Sequence, residues 1–371
     1  MGFSVLTIDL AAIQANWLLI SSMTSGVSAA GVIKANAYGL GAQQVGKALY
    51  DVGCREFFLA TPDEALAARK FLPSDAVIYV LGGVRSTDEQ IFIEENLIPV
   101  LCSLHSIEKW AEQNTRRSLS SPFVVKINTG MTRFGLDIGE FNSLCNNTAL
   151  IKKINPVLFM SHLACADEPL HPLNTTQHKT FNQCAVRFKK ILPTVRLSLA
   201  NSSGILLGSS FHYDLVRPGA ALYGINPQPN NQNPMRPVVR LALPIIQVRT
   251  LTEVSSLGYS ATASLVEGAR VAIVAGGYAD GVHRTVGTQP EGILCGQRVK
   301  AIGRISMDVT IFDISNIQLP TEYLLSEAIE IINNDFSLDY LTKKNSLLGY
   351  EVLTSLGNRY TRNYLPGHSY E

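Results

Sequence analysis

The sequence predicts an α/β protein: an N-terminal (β/α)8 TIM-like barrel followed by a C-terminal mainly-β domain. Short apolar runs alternate with helical patterns from residue 31 to about 222, and beyond residue 234 strands dominate, separated by Gly and Asp turns. Length agrees, because 371 residues exceed one ordinary domain and suit a large barrel plus a second module.

The apolar runs are Val32-Ile33-Lys34, Phe57-Phe58-Leu59-Ala60, Val77-Ile78-Tyr79-Val80-Leu81, Ile98-Pro99-Val100-Leu101, Phe123-Val124-Val125-Lys126-Ile127, Val157-Leu158-Phe159-Met160, Val195-Arg196-Leu197-Ser198-Leu199 and Leu215-Val216, eight in all. Helical patterns separate most of them, at 44–52, 62–71, 87–95, 106–113, 139–147 and 177–191. Strand–helix alternation argues for a parallel sheet, and eight units close it into a barrel. A doubly wound sheet is the rival. It needs no eighth strand and usually carries a GxGxxG turn, whereas Gly39-Leu40-Gly41 is followed next by Gly46, the wrong spacing. The run Gln228-Pro229-Asn230-Asn231-Gln232-Asn233-Pro234 breaks the composition and reads as a linker. Strand patterns then follow at 238–248, 270–275, 292–294, 299–302, 310–314 and 328–332. The barrel is assigned to 9–230 and the β-rich domain to 231–371, with residues 1–8 expected to join the latter.

Bulk properties narrow the class. Charged residues make up 16% and apolar ones 46%, enough for a sizeable core, and a net charge of +1 lacks the footprint of a nucleic-acid binder. The six cysteines show no CxxC and no disulfide-dense spacing, which points to free thiols in a reducing compartment. No run reaches the ~20 apolar residues of a membrane span, and Asp9 interrupts the first apolar stretch, so no secretory signal is read. A cytoplasmic protein is expected. His162, Cys165 and His171 lack a fourth ligand at zinc spacing, so no metal site is expected.

Polar residues stand just after the predicted strands: Lys34, Arg133, His162, Asn201, Ser202 and Arg217. In a barrel of this type the carboxyl ends of the strands carry the active site. Lys34 lies in Val32-Ile33-Lys34-Ala35-Asn36-Ala37-Tyr38-Gly39-Leu40-Gly41, where an apolar strand delivers one lysine to a turn. Partial desolvation lowers an ammonium pKa and frees the nucleophilic amine. Most strand-end lysines are solvated loop residues, but Tyr38 and the glycines supply an anion pocket beside this one.

That run resembles the pyridoxal-phosphate (PLP) attachment segment of alanine racemases. The resemblance continues, in the family's order, through Lys126-Ile127-Asn128-Thr129-Gly130-Met131-Thr132-Arg133-Phe134-Gly135, Ser161-His162, Ala200-Asn201-Ser202, Val216-Arg217-Pro218-Gly219, Leu222-Tyr223-Gly224, Gly277-Tyr278-Ala279-Asp280-Gly281 and Ser306-Met307-Asp308. It spans Ile8 to about Tyr364. It implies a PLP-dependent racemase interconverting L- and D-alanine, with Lys34 holding the cofactor and serving as one of two bases. Tyr259 matches the second base, supplied by the partner subunit of a homodimer. A phenol must become more acidic than in water to accept a proton near neutrality, and His162 and Arg217 are candidate helpers. Without the family match, Tyr259 would read as a packing tyrosine in a turn.

The resemblance puts Arg217 against the pyridine nitrogen. An arginine keeps its proton, so the nitrogen stays unprotonated and the carbanion is weakly delocalised, which favours reprotonation over transamination. The competing explanation is a structural turn with a surface salt bridge. Tyr38, Ser202, the backbone N–H groups of Gly219 and Ala220, and Tyr350 match phosphate ligands. His162 and Asn201 complete the implied cofactor set. Arg133 matches a contact to the cofactor phenolate and substrate carboxylate, and Met307, Asp308 and Tyr278 match substrate-pocket residues, with Arg284 beside Tyr278 at the entrance. Lys126 alternates with Val124 and Asn128, so it points into the barrel. It matches a lysine that is carbamylated in some members, and a salt bridge to an ordinary carboxylate is the alternative. Ser260, Ala263-Ser264 and Val282-His283 depart from the usual pattern at the pocket rim. Serine or broader specificity stays open, because one hydroxyl in such a pocket is discriminated only about a hundredfold. Two rivals fit less well. A PLP-dependent decarboxylase would place an acid at the pyridine nitrogen, and a PLP-homeostasis protein would be a single barrel.

Overall fold

The computed structural model describes residues 4–85, 87–283, 290–345 and 347–367. It divides into two compact units, one of residues 13–236, the other combining the N-terminal residues up to Ala12 with Pro237–Gly367.

In the first unit seven strands pair in parallel: Gly31–Val32, Glu56–Leu59, Val77–Val80, Leu97–Leu101, Phe123–Lys126, Pro156–Met160 and Arg196–Ser198. An eighth, Leu215–Val216, pairs in parallel with Ser28–Ala29. It closes the ring, since Arg217 N–H donates to Ala200 C=O at 3.0 Å and Val32 N–H to Pro218 C=O at 3.1 Å. Closure excludes the doubly wound rival, whose sheet keeps two free edges.

Both faces of each strand are buried, so the strands read as continuous apolar runs. The inner face is a cluster including Val32, Phe58, Tyr79, Val100, Val124 and Leu215. The outer face meets the helices: Phe159 stacks on Phe181 with centroids 5.4 Å apart and packs at a tilt against Phe188 at 4.9 Å, both from the helix Pro172–Ile191. Helix starts follow from local chemistry. Ser103 and Asp137 form capping boxes with Ser106 and Glu140, and Thr61 caps Pro62–Arg69, with Pro at its first position. The expected linker is anchored to the barrel: the Arg236 N–H donates to Asn16 Oδ1 at 2.7 Å, and Asn16 Nδ2 donates back to Arg236 C=O at 3.0 Å.

In the second unit the strand Val239–Thr250 pairs antiparallel with both Ala328–Ile332 and Arg270–Ala275. With Val309–Asp313, Gln297–Ala301 and Glu291–Leu294 the sheet returns on itself as a ring of six strands. The N-terminal strand Val5–Asp9 joins it, antiparallel to Val239–Thr250 and parallel to Thr361–Leu365. Periodicity did not reveal Val5–Asp9, the helix Leu10–Met23 after it or Thr361–Leu365; the two strands are partners of each other from opposite ends of the chain.

At the amino end of the barrel strands Arg196 grips Glu56 through two hydrogen bonds of 2.9 and 3.0 Å, and the Tyr79 hydroxyl donates to the same carboxylate at 2.8 Å. Removing the guanidinium leaves a carboxylate only 12% exposed without its cation. Arg196→Met is expected to cost about 2 kcal/mol, below the full cost of breaking a buried pair because Arg196 reaches solvent. A lowered urea midpoint at constant m-value is the readout. An unchanged midpoint would mean that the bridge contributes nothing.

Candidate active site

Lys34 follows directly on Gly31–Val32 through Ile33, half-buried, and opens a turn of unusual hand. Ala35, Asn36, Ala37 and Tyr38 all have φ between 52° and 55°. Left-handed backbone costs about 1–2 kcal/mol for each residue with a Cβ, so the turn persists only where its surroundings impose it. Glu64 is the main clamp, accepting from the N–H groups of Ala35 and Ala60 at 2.8 Å each. The Asn36 amide oxygen accepts from Ala42 N–H at 2.8 Å. Burial lowers the Lys34 pKa, Arg133 lowers it further, and Glu64 opposes them. Glu64 was not among the expected site residues. Its only sequence signal is a carboxylate three residues after the helix cap Thr61.

Cations gather at the carboxyl ends of the strands. Lys126, expected mid-strand, is the last residue of Phe123–Lys126, because Ile127 turns away to bridge Leu136. Its inward burial is as expected. No carboxylate pairs with it among the described residues, and its Nζ lies over the Phe134 ring, 5.5 Å from the centroid. Burial lowers its pKa to about 8, with Arg217, Arg133 and Lys34 adding repulsion and Cys102 opposing. With Arg133, His162, Asn128 and Ser161 it lines a narrow cleft.

Arg217 is buried. Its guanidinium donates to Ser198 Oγ and to the carbonyls of Ser161 at 2.6 Å and Leu199 at 3.2 Å. All three acceptors are neutral, so the surface salt bridge of the competing explanation is not formed. Burial lowers its pKa to about 9, which leaves it a cation at neutral pH. His162 is pushed well below its ordinary value by burial first and then by Arg217, Lys126, Arg133 and Lys34, so it is neutral. Gln177 braces the strand ends: its Nε2 donates to His162 C=O at 2.9 Å and Thr129 Oγ1 at 3.2 Å, and Thr129 meets Ser161 Oγ at 2.8 Å.

A second cluster could hold an anion. Ser202 Oγ accepts from the N–H groups of Gly219 at 2.9 Å and Ala221 at 3.2 Å. Asn201 caps the short helix Ser202–Ile205, its Oδ1 accepting from Gly204 N–H at 2.9 Å. A Cβ at Gly219 would lie 2.5 Å from the Tyr38 hydroxyl, so any larger residue there would push that hydroxyl aside. The Gly219 N–H, expected as an open donor, is therefore already used by Ser202. Among the described residues the backbone N–H groups of Ser203 and Ala220 donate to no acceptor.

The remaining expected residues lie in the second unit. Tyr259 is 67% exposed in a short turn after Ser255–Leu257, where Ser260 has φ 62°. Arg304 Nη1 donates to Ser260 Oγ at 2.8 Å, which supports this strained departure from glycine. Met307 and Asp308 are tied to the Tyr278 turn. Tyr278 N–H donates to Ser306 C=O at 3.0 Å and Ala279 N–H to Met307 C=O at 3.1 Å. Arg359 bridges Asp280, at 2.6 and 2.8 Å, and Asp308, at 2.6 Å. Tyr350 stands on the helix Gly349–Ser355. Arg284 lies outside the described residues.

Comparison with known proteins covers both units. A family model described as alanine racemase, N-terminal domain, matches residues 8–227, and one for the alanine racemase C-terminal domain matches 238–364. The chain is similar to alanine racemases of Rhodospirillum rubrum, 44% identical over 97% of this chain and 96% of that protein, and of Rickettsia canadensis, 40% identical over 98% and 99%. Among solved structures it is similar to the Bartonella henselae alanine racemase with covalently bound pyridoxal phosphate. That likeness has TM-score 0.92 and 33% identity, covering 98% of this chain and 100% of that one.

Lys126 provides a pH test. Its folded value of about 8 lies below the ordinary 10.5, so between them the unfolded chain binds the extra proton and stability rises with pH. The penalty is fully present below about pH 8. In carbon-dioxide-free buffer, wild type is expected to gain about 3 kcal/mol relative to Lys126→Met across that window. Parallel pH–stability curves for the two proteins would show that the amine is not desolvated.

Proposed function

This chain belongs to the alanine racemase family, and we propose that it racemises alanine with two bases, Lys34 on one face of pyridoxal phosphate and Tyr259 of the partner subunit on the other. As an alanine racemase it is a PLP-dependent isomerase. The observation that carries the reading is the convergence of Lys34, Arg217, Ser202 and Gly219 at the carboxyl ends of the barrel strands. The residues fit the cofactor. Lys34 offers a partly desolvated amine, and the Gly219 cradle, with the N–H groups of Ser203 and Ala220 beside it, suits a phosphate.

When bound, the cofactor withdraws electrons from the substrate Cα and so acidifies its proton. Lys34 takes or returns that proton on its own face, which needs its amine neutral, and burial beside Arg133 favours that form. Tyr259 does the converse on the opposite face. Arg217, whose acceptors are all neutral, would face the pyridine nitrogen of the bound cofactor as a cation, which would keep a proton off that nitrogen and disfavour transamination. Tyr38 and Ser202 join the phosphate contacts, with Tyr350 completing them. Asn201 positions the Ser202 helix. Arg133 orients the substrate carboxylate, and Met307, Asp308 and Tyr278 narrow the pocket. Lys126 becomes carbamylated, since an amine with a pKa of about 8 and no carboxylate partner has a neutral fraction able to react with carbon dioxide.

Purified protein is expected to abolish the optical rotation of L-alanine faster than that of L-serine; retained rotation of both would sink the assignment. The composite site is tested by mixing subunits. Lys34→Ala and Tyr259→Phe homodimers should each be inactive, and their heterodimer should regain activity, because one of its two sites keeps both bases. Complementation failing despite proven heterodimers would put both bases on one chain. Arg217→Glu should protonate the pyridine nitrogen and raise transamination, read as pyruvate formed per D-alanine. An unchanged ratio would remove Arg217 from the cofactor.

A further inference from the structure

Cys102 is the first residue after the strand Leu97–Leu101, and Lys126 is the last of Phe123–Lys126. These strands pair in parallel with Val100 opposite Val124 and Leu101 opposite Val125. Continuing that register sets Cys102 opposite Lys126. Val100 and Val124 face the barrel interior, so the two-residue period of a strand turns Cys102 and Lys126 the same way, and Cys102 packs against the interior cluster. Lys126 is 6% exposed, and its side-chain amine has neither a hydrogen bond nor an ion pair among the described residues. The cations acting on it are Arg217, Arg133 and Lys34; its neutral titratable neighbours are Cys102 and His162, which lines the same cleft.

A cysteine at a strand end is ordinarily a small packing residue. A buried lysine without a counter-ion opposite it changes that reading, because the position facing such an amine is where a carboxylate would normally stand. We propose that Cys102 keeps Lys126 open to carbamylation: a neutral thiol at this register position leaves the amine uncompensated, where a carboxylate would hold it as an ammonium. The inference rests on the reading of Lys126 as a carbamylation site. In that step the Lys126 amine lone pair forms an N–C bond to carbon dioxide. One C=O π pair moves to oxygen, and a nitrogen proton leaves to solvent, giving –NH–COO⁻ and H⁺. Arg217, Arg133 and Lys34 disfavour the ammonium beforehand and stabilise the carbamate afterwards. Burial pushes the Cys102 thiol above its ordinary range against the pull of Lys126. It therefore stays neutral, its S–H directed at the Val100 carbonyl at 3.7 Å.

The test uses holoenzyme equilibrated with isotope-labelled bicarbonate, with carbamate read by NMR and assigned by its loss in Lys126→Met. Wild type and Cys102→Ser should show the resonance. Cys102→Asp should cut it about tenfold or more, since raising the amine pKa by about one removes about nine-tenths of its neutral form. An undiminished resonance in folded Cys102→Asp overturns the role of Cys102 and leaves the carbamylation reading standing. No resonance in wild type removes that reading, and this inference with it. Should Cys102→Asp not fold, Cys102→Ser and Cys102→Val decide. Both are neutral and should keep the resonance, and its loss in either folded variant overturns the proposal.

Discussion

The carboxyl ends of the barrel strands concentrate positive charge that the protein does not neutralise. Lys34, Lys126 and Arg217 stand where eight strands point their ends, Arg133 joins them from the following loop, and His162 is driven neutral by their field. Glu64 acts on this group from the edge, with its carboxylate engaged by two backbone N–H groups. Repulsion among buried cations raises the energy of the unliganded site and lowers the affinity of its amines for protons. Such a site suits an anionic ligand, because a negative charge placed among these groups relieves the repulsion between them.

Holding this arrangement costs backbone and side-chain freedom, and neutral polar groups supply the restraint. Arg217 is fixed by two carbonyls and a hydroxyl, and Gln177 spans Thr129 and the His162 carbonyl. The left-handed turn from Ala35 to Tyr38 is imposed by Glu64 and Asn36. It brings the Tyr38 hydroxyl so close to Gly219 that a larger residue there would displace it. Strain at the lysine and closeness at the anion cradle are one geometric fact. The second unit uses a salt-bridge clamp instead, with Arg359 joining Asp280 to Asp308. That suits a surface more exposed than the barrel interior.

Much of this was legible in the residues. Strands buried on both faces appear as apolar runs, and helices with a solvent face show a period, so the eight-fold alternation announced a barrel before any contact was known. Lys34, His162, Asn201, Ser202 and Arg217 were visible as polar residues just past those runs. The elements that escaped notice, Val5–Asp9, Leu10–Met23 and Thr361–Leu365, carry weak local signals. The two strands are defined by pairing across more than 300 residues of chain.

The sequence by itself determined the barrel, the β-rich second unit, the family and the lysine at its centre, because period, composition and motif order are local properties. Tertiary structure decided which donors are open and which are spent. Gly219 N–H belongs to Ser202, and Lys126 has no carboxylate partner among the described residues. It also placed Glu64 under the Lys34 turn and gave that turn its left hand. Hydrogen-bond partners and charge neighbours arise only when strands and loops distant in sequence are brought together, and no local pattern records them.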